Sequence, residues 1–490
     1  MKKAAVERSE QPPRSAEPSR RTKTLIGVTI LVVALVTVGV AALLINIFER
    51  QQEARDPFFR VVEVTEDTVD PAVWGQNWPL QYDSYKNTDQ MDTTQHGGSE
   101  ALPHEPSADD PRTTVTESKI ELDPRLVQMW KGYPFSVDYR EKRGHAYMLI
   151  DQQTTRRVTE FNQPGACLNC HASTVQLMDE LGDGDRQKGF DVMNKMPYNE
   201  VATMVEHPIS CLDCHDPQTM ELRITRPAFE EGIKQYKASL GIENYDVHTD
   251  ATAQEMRTFV CAQCHVEYAF VGEEKTLTFP WKYGLTVRDE ERYWNEVGHV
   301  DWTHELTGGE MLKAQHPEFE LYSQGVHARS GVSCADCHMP YTREGGMKVS
   351  NHQIRSPMFN VNESCQTCHS VSEEELKDRV GQIQDRHLHT RNQASQALSE
   401  LISDIENAKN AGNVSEEHMN IALEYQKRAT FYIDWIVSEN SHGFHAPGEA
   451  LRVLNDATEA ARKGQLALRG VITPDVPDGT AVAAGDNAGD

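Results

Sequence analysis

All ten cysteines of this 490-residue chain fall into five Cys-x-x-Cys-His runs, and no cysteine is left over. The runs are Cys167-Leu-Asn-Cys170-His171, Cys211-Leu-Asp-Cys214-His215, Cys261-Ala-Gln-Cys264-His265, Cys334-Ala-Asp-Cys337-His338 and Cys365-Gln-Thr-Cys368-His369. Two thiols three positions apart can add to the two vinyl groups of one porphyrin. The adjacent imidazole then sits under the iron, so each run reads as a c-type haem attachment site. A lone Cys-x-x-Cys also serves zinc and redox centres, but five runs that exhaust the cysteines leave little room for those or for structural disulfides. The intervals between runs are irregular, which excludes a simple tandem repeat. Five porphyrins bring hydrophobic bulk of their own, so a mainly α chain with a haem-filled core is expected, with few long apolar runs between the motifs.

Covalent haem attachment points outside the cytoplasm, and the N-terminus agrees. Residues 24–48 carry no charge and are long enough to cross a bilayer of about 30 Å at about 1.5 Å per residue. Lys2, Lys3, Arg8, Arg14, Arg20, Arg21 and Lys23 precede them, which keeps the N-terminal side cytoplasmic. A cleaved signal peptide is the alternative, with a shorter apolar region and small residues at its end; here the run ends in Ile45-Asn46-Ile47-Phe48. Everything after it is expected on the periplasmic side, either anchored or soluble after cleavage. A net charge of -27 argues against nucleic acid as a partner, because phosphates repel it.

The expected organisation is a disordered cytoplasmic tail (1–23), an anchor (24–48), a connector (49–69), a pentahaem catalytic region (70–370), a helical region (371–470) and a disordered tail (471–490). His96 and His104 lie in a Thr/Gly/Pro-rich surface stretch and read as solvated side chains. Ser372-Glu-Glu-Glu375 has the form of a capping box opening a helix to about residue 410, which Gly412-Asn413 breaks. A second helix over about 415–437 carries Ile421, Leu423, Tyr425, Tyr432, Ile433 and Ile436. A third starts at Pro447, a good first-turn residue, and ends near Gly470.

Each haem iron has two axial positions. Capped on both sides it carries electrons; open on one side it can do chemistry. Distal histidines come from remote segments, so spacing does not identify them. The motifs Trp74-Gly-x-Asn-x-Pro-x-Gln-Tyr82, Arg143-Gly-His145-Ala-Tyr147, Cys261-Ala-Gln-Cys-His-Val-Glu-Tyr268, Phe279-Pro-Trp-Lys282, Asp301-Trp-Thr-His304, Lys313-Ala-Gln-His316-Pro and Gly443-Phe-His445 resemble pentahaem cytochrome c nitrite reductase of the ammonia-forming kind, over roughly residues 70–469.

The resemblance implies a multihaem cytochrome c fold with long C-terminal helices at a homodimer interface and five covalent haem c groups. It implies His145 as distal ligand of the third haem in sequence order, His327 of the fifth, His352 of the second and His445 of the fourth. The first haem, on Cys167 and Cys170, would keep an open face. It further implies a catalytic trio of Arg157, Tyr268 and His316, with Arg156 the neighbour of Arg157 in the count from Asp151. A calcium ion would take the Glu267 carboxylate, the carbonyls of Tyr268 and Lys313 and the side-chain oxygen of Gln315, all hard donors. Nitrite would be the substrate, taking six electrons and eight protons to ammonium. A membrane quinol-oxidising multihaem cytochrome c would be the electron donor.

Many relatives carry lysine as proximal ligand of the catalytic haem; this chain has His171. A His-ligated variant belongs to the same family, with an iron of different electron richness. Three plainer readings stand beside the trio: Tyr268 packing on porphyrin, His316 as an extra ligand, Arg157 pairing with a propionate. Two other functions remain open, a pentahaem electron carrier without catalysis, and a reductase preferring hydroxylamine or sulfite.

Overall fold

A computed structural model describes residues 19–53 and 60–472, and the chain divides into two units, Met1–Val61 and Val62–Asp490. The expected tails at 1–18 and 473–490, and residues 54–59 of the connector, lie outside the described residues.

The first unit holds one helix, Arg20–Glu53. It is longer at both ends than the uncharged run: Arg20 to Lys23, expected in the tail, and residues 49–53, expected in the connector, are helical. Backbone bonding carries the helix past the apolar segment because nothing at either boundary, neither Pro nor Gly, stops it. Within Lys23–Ile47 the large apolar side chains are exposed, Leu25, Ile30 and Val38 among them. Thr24, Thr29 and Thr37 donate their hydroxyls to carbonyls four residues back, at 3.0, 2.9 and 2.8 Å. Such a surface suits lipid, where every polar group needs an internal partner.

The second unit is mainly α-helical. Its strands, among the described residues, form four separate two-stranded antiparallel pairs, none longer than four residues. Short helical turns carry or lead into the cysteine runs: Leu168–His171, Cys211–Cys214, Ala253–Ala262, Cys334–His338 and Val361–Ser364. A helical turn is what puts residues three apart on one face. Three of these turns open with a reciprocal capping box, Ser210 with Asp213, Thr252 with Glu255 and Ser333 with Asp336. The polar residues inside and beside the motifs thus start the helices that hold them.

Three long helices follow the last motif, Glu373–Ala411, Glu416–Ser438 and Pro447–Leu468. Ser372 caps the first by accepting from the Glu375 N–H at 3.2 Å. The return bond of the expected capping box is not formed, so this is a simple N-cap. Gly412 ends the helix at φ 61°, a left-handed conformation that costs glycine least. Tyr432, Ile433 and Ile436 are buried, and Ile421, Leu423 and Tyr425 pack on the same core. That core also holds Trp130, Trp294 and Trp302 from the motif-bearing region. The helices therefore form one wall of the body that carries the motifs.

Candidate functional site

Four of the five motif histidines meet other histidines in a regular way. His265 faces His145 with ring centres 6.3 Å apart, His215 faces His352 at 6.3 Å, His338 faces His445 at 6.4 Å and His369 faces His327 at 6.2 Å. A metal–imidazole bond of about 2 Å on each side, with roughly 1 Å from nitrogen to ring centre, puts two axial rings about 6 Å apart. These spacings fit one iron between each pair. Among the described residues, His171 has no imidazole ring opposite it.

Several of these rings are oriented by the other nitrogen. Nδ1 pairs with a backbone carbonyl in His171 (Met148, 3.2 Å), His215 (Met220, 2.9 Å), His338 (Arg355, 3.0 Å) and His352 (Ser350, 2.8 Å). An Nδ1–H bonded to a carbonyl leaves Nε2 as the free lone pair a metal needs. Burial pushes His171, His215 and His338 down to about 4, so all three are neutral donors at pH 7. Desolvation takes His265 down to about 3.

The motifs also adjoin one another. Cys170 lies beside Cys264, and Cys261 beside Cys334. Cys214 lies within electrostatic reach of Cys261, and Cys337 of Cys365. Among the described residues no three His, Cys, Asp or Glu side chains converge as a zinc centre requires. The donor set and its spacing fit haem c.

Beside the first motif lies the segment 313–316, held by three carboxylates from three different parts of the chain. The N–H of Lys313 donates to Asp301 at 2.8 Å, that of Ala314 to Asp434 at 3.0 Å and that of Gln315 to Glu267 at 2.6 Å. Asp434, on the helix Glu416–Ser438, also accepts from Lys313 Nζ at 2.9 Å and Trp130 Nε1 at 3.2 Å. Each bond would be unremarkable alone; three in a row fix the backbone immediately before His316.

His316 is pushed well below the usual imidazole range by burial, then by His265, His171, Lys313 and Lys119. It rests neutral and gains a proton more readily when an anion arrives. The Tyr268 hydroxyl is pushed well above its ordinary value by burial, with Cys170, Cys167 and Tyr133 nearby, so it stays protonated. Arg157 lies with its guanidinium 4.2 Å from the Phe135 ring centre and 5.8 Å from that of Tyr139. Burial pushes the Cys167 thiol up to about 12 and the His171 imidazole down to about 4, and the Arg157 charge bears on both. Among the described residues it has no carboxylate partner. Arg156 instead pairs with Glu160 at 2.6 Å on the surface, its side chain 57% exposed. Of the two arginines, only Arg157 faces the first motif.

Sequence reading did not single out Tyr133, Phe135, Lys119, Asp434 or Glu320. The aromatic run Tyr133-Pro-Phe135 was the available signal for the first two; the others have none. Two readings are corrected. His96 is held, not solvated: its side chain is 11% exposed and its Nε2 pairs with Asp385 at 2.8 Å. His104 pairs through Nδ1 with the Arg112 carbonyl at 2.9 Å. Both are fixed by partners brought from elsewhere in the loop or from the long helix.

The expected calcium donors are adjacent. Glu267 is fully buried; one carboxylate oxygen accepts from the Gln315 N–H, and Oε1 has no hydrogen-bond partner. Glu320 accepts from the Glu267 N–H at 2.9 Å and Trp281 Nε1 at 2.8 Å, and its Oε2 is likewise unpartnered. Unpaired buried carboxylate oxygens fit a hard cation.

The cytochrome c552 family profile matches residues 70–481. Cytochrome c-552 of Porphyromonas gingivalis is 37% identical over 404 residues, 81% of this chain and 75% of the relative. That of Bacteroides fragilis is 36% identical over 458 residues, 91% of this chain and 87% of the relative. The structure of cytochrome c nitrite reductase from Desulfovibrio desulfuricans, whose catalytic subunit NrfA is described with two calcium sites, superposes with a TM-score of 0.72 at 30% identity. The match covers 83% of this chain and 88% of that one. With the multihaem fold, the apolar N-terminal helix and the complete set of attachment motifs in place, the chain belongs to the cytochrome c552 family of oxidoreductases.

Proposed function

We propose that this chain reduces nitrite to ammonium at the first haem, with the four bis-histidine haems delivering electrons. The observation that carries the reading is the asymmetry among the motif histidines: four have a ring opposite, whereas among the described residues His171 has none and lies within electrostatic reach of Arg157 and His316, with Tyr268 close to Cys167 and Cys170. Cys167, Cys170 and His171 would hold the haem, which would supply redox chemistry at this place. The chain supplies the rest. Arg157 binds the anion's oxygens through its N–H groups, as guanidinium does best. His316 gains a proton as the anion's charge enters the crevice, and donates it from its ring nitrogen. The Tyr268 hydroxyl, protonated at every working pH, is a second donor. With His171 in place of lysine, this is the His-ligated variant of the enzyme.

Electron paramagnetic resonance of the purified holoprotein, with and without nitrite, tests this. The expected result is one high-spin ferric signal that nitrite perturbs, with ammonium formed from nitrite under a reduced viologen. Five low-spin centres indifferent to nitrite would make the chain an electron carrier.

In the same proposal Glu267, the carbonyls of Tyr268 and Lys313, and Gln315 hold calcium, tying Tyr268 to His316. The region 70–370 does the chemistry and the helices of 371–470 brace it and pair two copies. The body faces the periplasm beside a quinol-oxidising cytochrome donor.

Calcium removal has an expected pH signature. Burial raises the Glu320 carboxyl to about 8, and burial together with mutual repulsion takes Glu267 and Glu290 well above 4.5. The folded chain therefore binds more protons than the unfolded chain above pH about 4.5, so stability falls as pH rises toward about 8. A divalent cation neutralises the ionised form and offsets this loss. In EGTA the melting temperature is expected to fall by several degrees between about pH 5 and pH 8. Added Ca2+ should restore most of it at the higher pH and little at the lower. A melting temperature that ignores Ca2+ at both would remove the ion from the site.

A further inference from the structure

Of the paired histidines, His445 alone has a carboxylate on its Nδ1, among the described residues. That nitrogen lies 2.7 Å from Glu439 Oε1, and the Glu439 side chain is 1% exposed. His215, His338 and His352 use backbone carbonyls at 2.8 to 3.0 Å. His145 Nδ1 has no partner, and His265 Nδ1 is 3.9 Å from Glu318, beyond hydrogen-bond range.

The Glu439 contact is built. Glu439 Oε1 also accepts from the Ser441 N–H at 3.1 Å, Oε2 accepts from the Ser441 hydroxyl at 2.8 Å, and that hydroxyl accepts from the His445 N–H at 3.0 Å. Two residues of one short loop thus lock carboxylate and imidazole together. Three donors on one buried carboxylate favour its ionised form.

A carboxylate on Nδ1–H draws that proton away from the ring and makes Nε2 a stronger donor to iron. Stronger axial donation favours the ferric state. Resting on the axial pairing argued above, we propose that Glu439 gives His445 imidazolate character and thereby makes the haem between His338 and His445 the lowest-potential member of the bis-histidine set. Its motif adjoins the third through Cys261 and Cys334 and the fifth through Cys337 and Cys365. Electrons arriving from the fifth haem must cross this low-potential step to reach the third. Glu439 is a positioning residue that acts through His445.

The test is a spectroelectrochemical titration of holoprotein carrying Glu439→Gln, with haem content checked by mass. Gln keeps an acceptor oxygen for His445 and removes the charge. One low-spin haem is expected to shift about tenfold toward its reduced form at fixed potential, about 59 mV for a one-electron couple, with the other four unmoved. The g spread of one low-spin ferric signal should widen. Five unchanged midpoints overturn the proposal. If the variant fails to load haem, the wild-type spectrum decides. One low-spin signal with the compressed g spread of an imidazolate-ligated centre supports the proposal, and its absence overturns it. His445→Ala separates the two levels: loss of one low-spin centre beside a silent Glu439→Gln sinks only the tuning role, whereas an unchanged low-spin count removes the axial pairing itself.

Discussion

Replacing Arg157 by Gln is expected to lower kcat/KM for nitrite by about two to three orders of magnitude, while Arg156→Gln leaves it within a factor of about two. The two side chains are neighbours in sequence and opposite in setting. Arg156 spends its charge on Glu160 at 2.6 Å in water, where an ion pair contributes little. Arg157 sits over Phe135 and Tyr139 with no counter-ion among the described residues. Half-buried against two aromatic rings, a fixed cation acts on an incoming anion with less screening than in open water, and it needs no reorganisation when charge moves. Steady-state assays on both variants check this. Lost turnover in the Arg156 variant would mean the crevice is read one residue out of register. Full turnover in the Arg157 variant with a shifted haem potential would make Arg157 a propionate partner.

Asp434→Ala is expected to cost about 3–5 kcal/mol of stability, a third or more of what a typical domain has. Asp434 and Lys313 are buried to within 1% of complete exclusion from water. Removing the carboxylate leaves a buried ammonium whose remaining hydrogen-bond partners among the described residues are the Ala314 carbonyl and the Ser438 hydroxyl, with the Trp130 and Phe135 rings beside it. It also orphans the Ala314 N–H and the Trp130 indole. Denaturant unfolding of the haem-loaded protein measures the loss. Because the same carboxylate fixes the backbone before His316, the variant should also lose nitrite turnover under conditions where it is still folded. Wild-type stability in the variant would mean the Lys313–Asp434 pair adds nothing to holding this segment.

The Cys-x-x-Cys-His runs and the long helices were legible residue by residue. Thiol spacing and porphyrin geometry act over a single helical turn. The caps at Ser372 and Gly412 and the first-turn Pro447 act over three or four residues. Such features depend on the local chain alone. The simple N-cap at Ser372 shows the margin: the serine half of the box formed, and the glutamate half did not, because exposed Glu375 has water as an equal partner.

Beyond that range the signal ends. The four ring pairs each join one motif histidine to one from a distant segment, and neither spacing nor composition marks those partners among twenty histidines. Glu439 beside His445 is close in sequence, yet only burial makes its carboxylate strong. Asp434 sits within the apolar run of residues 431–437, and its role exists because that run packs on the segment before His316. By itself the sequence determined which atoms can bind haem and which stretches are helical, since covalent chemistry and hydrogen bonds between near neighbours are local. Only the tertiary structure decided which histidines face each other, which arginine points inward and which carboxylates lose their water, because those depend on where the chain returns after dozens or hundreds of residues.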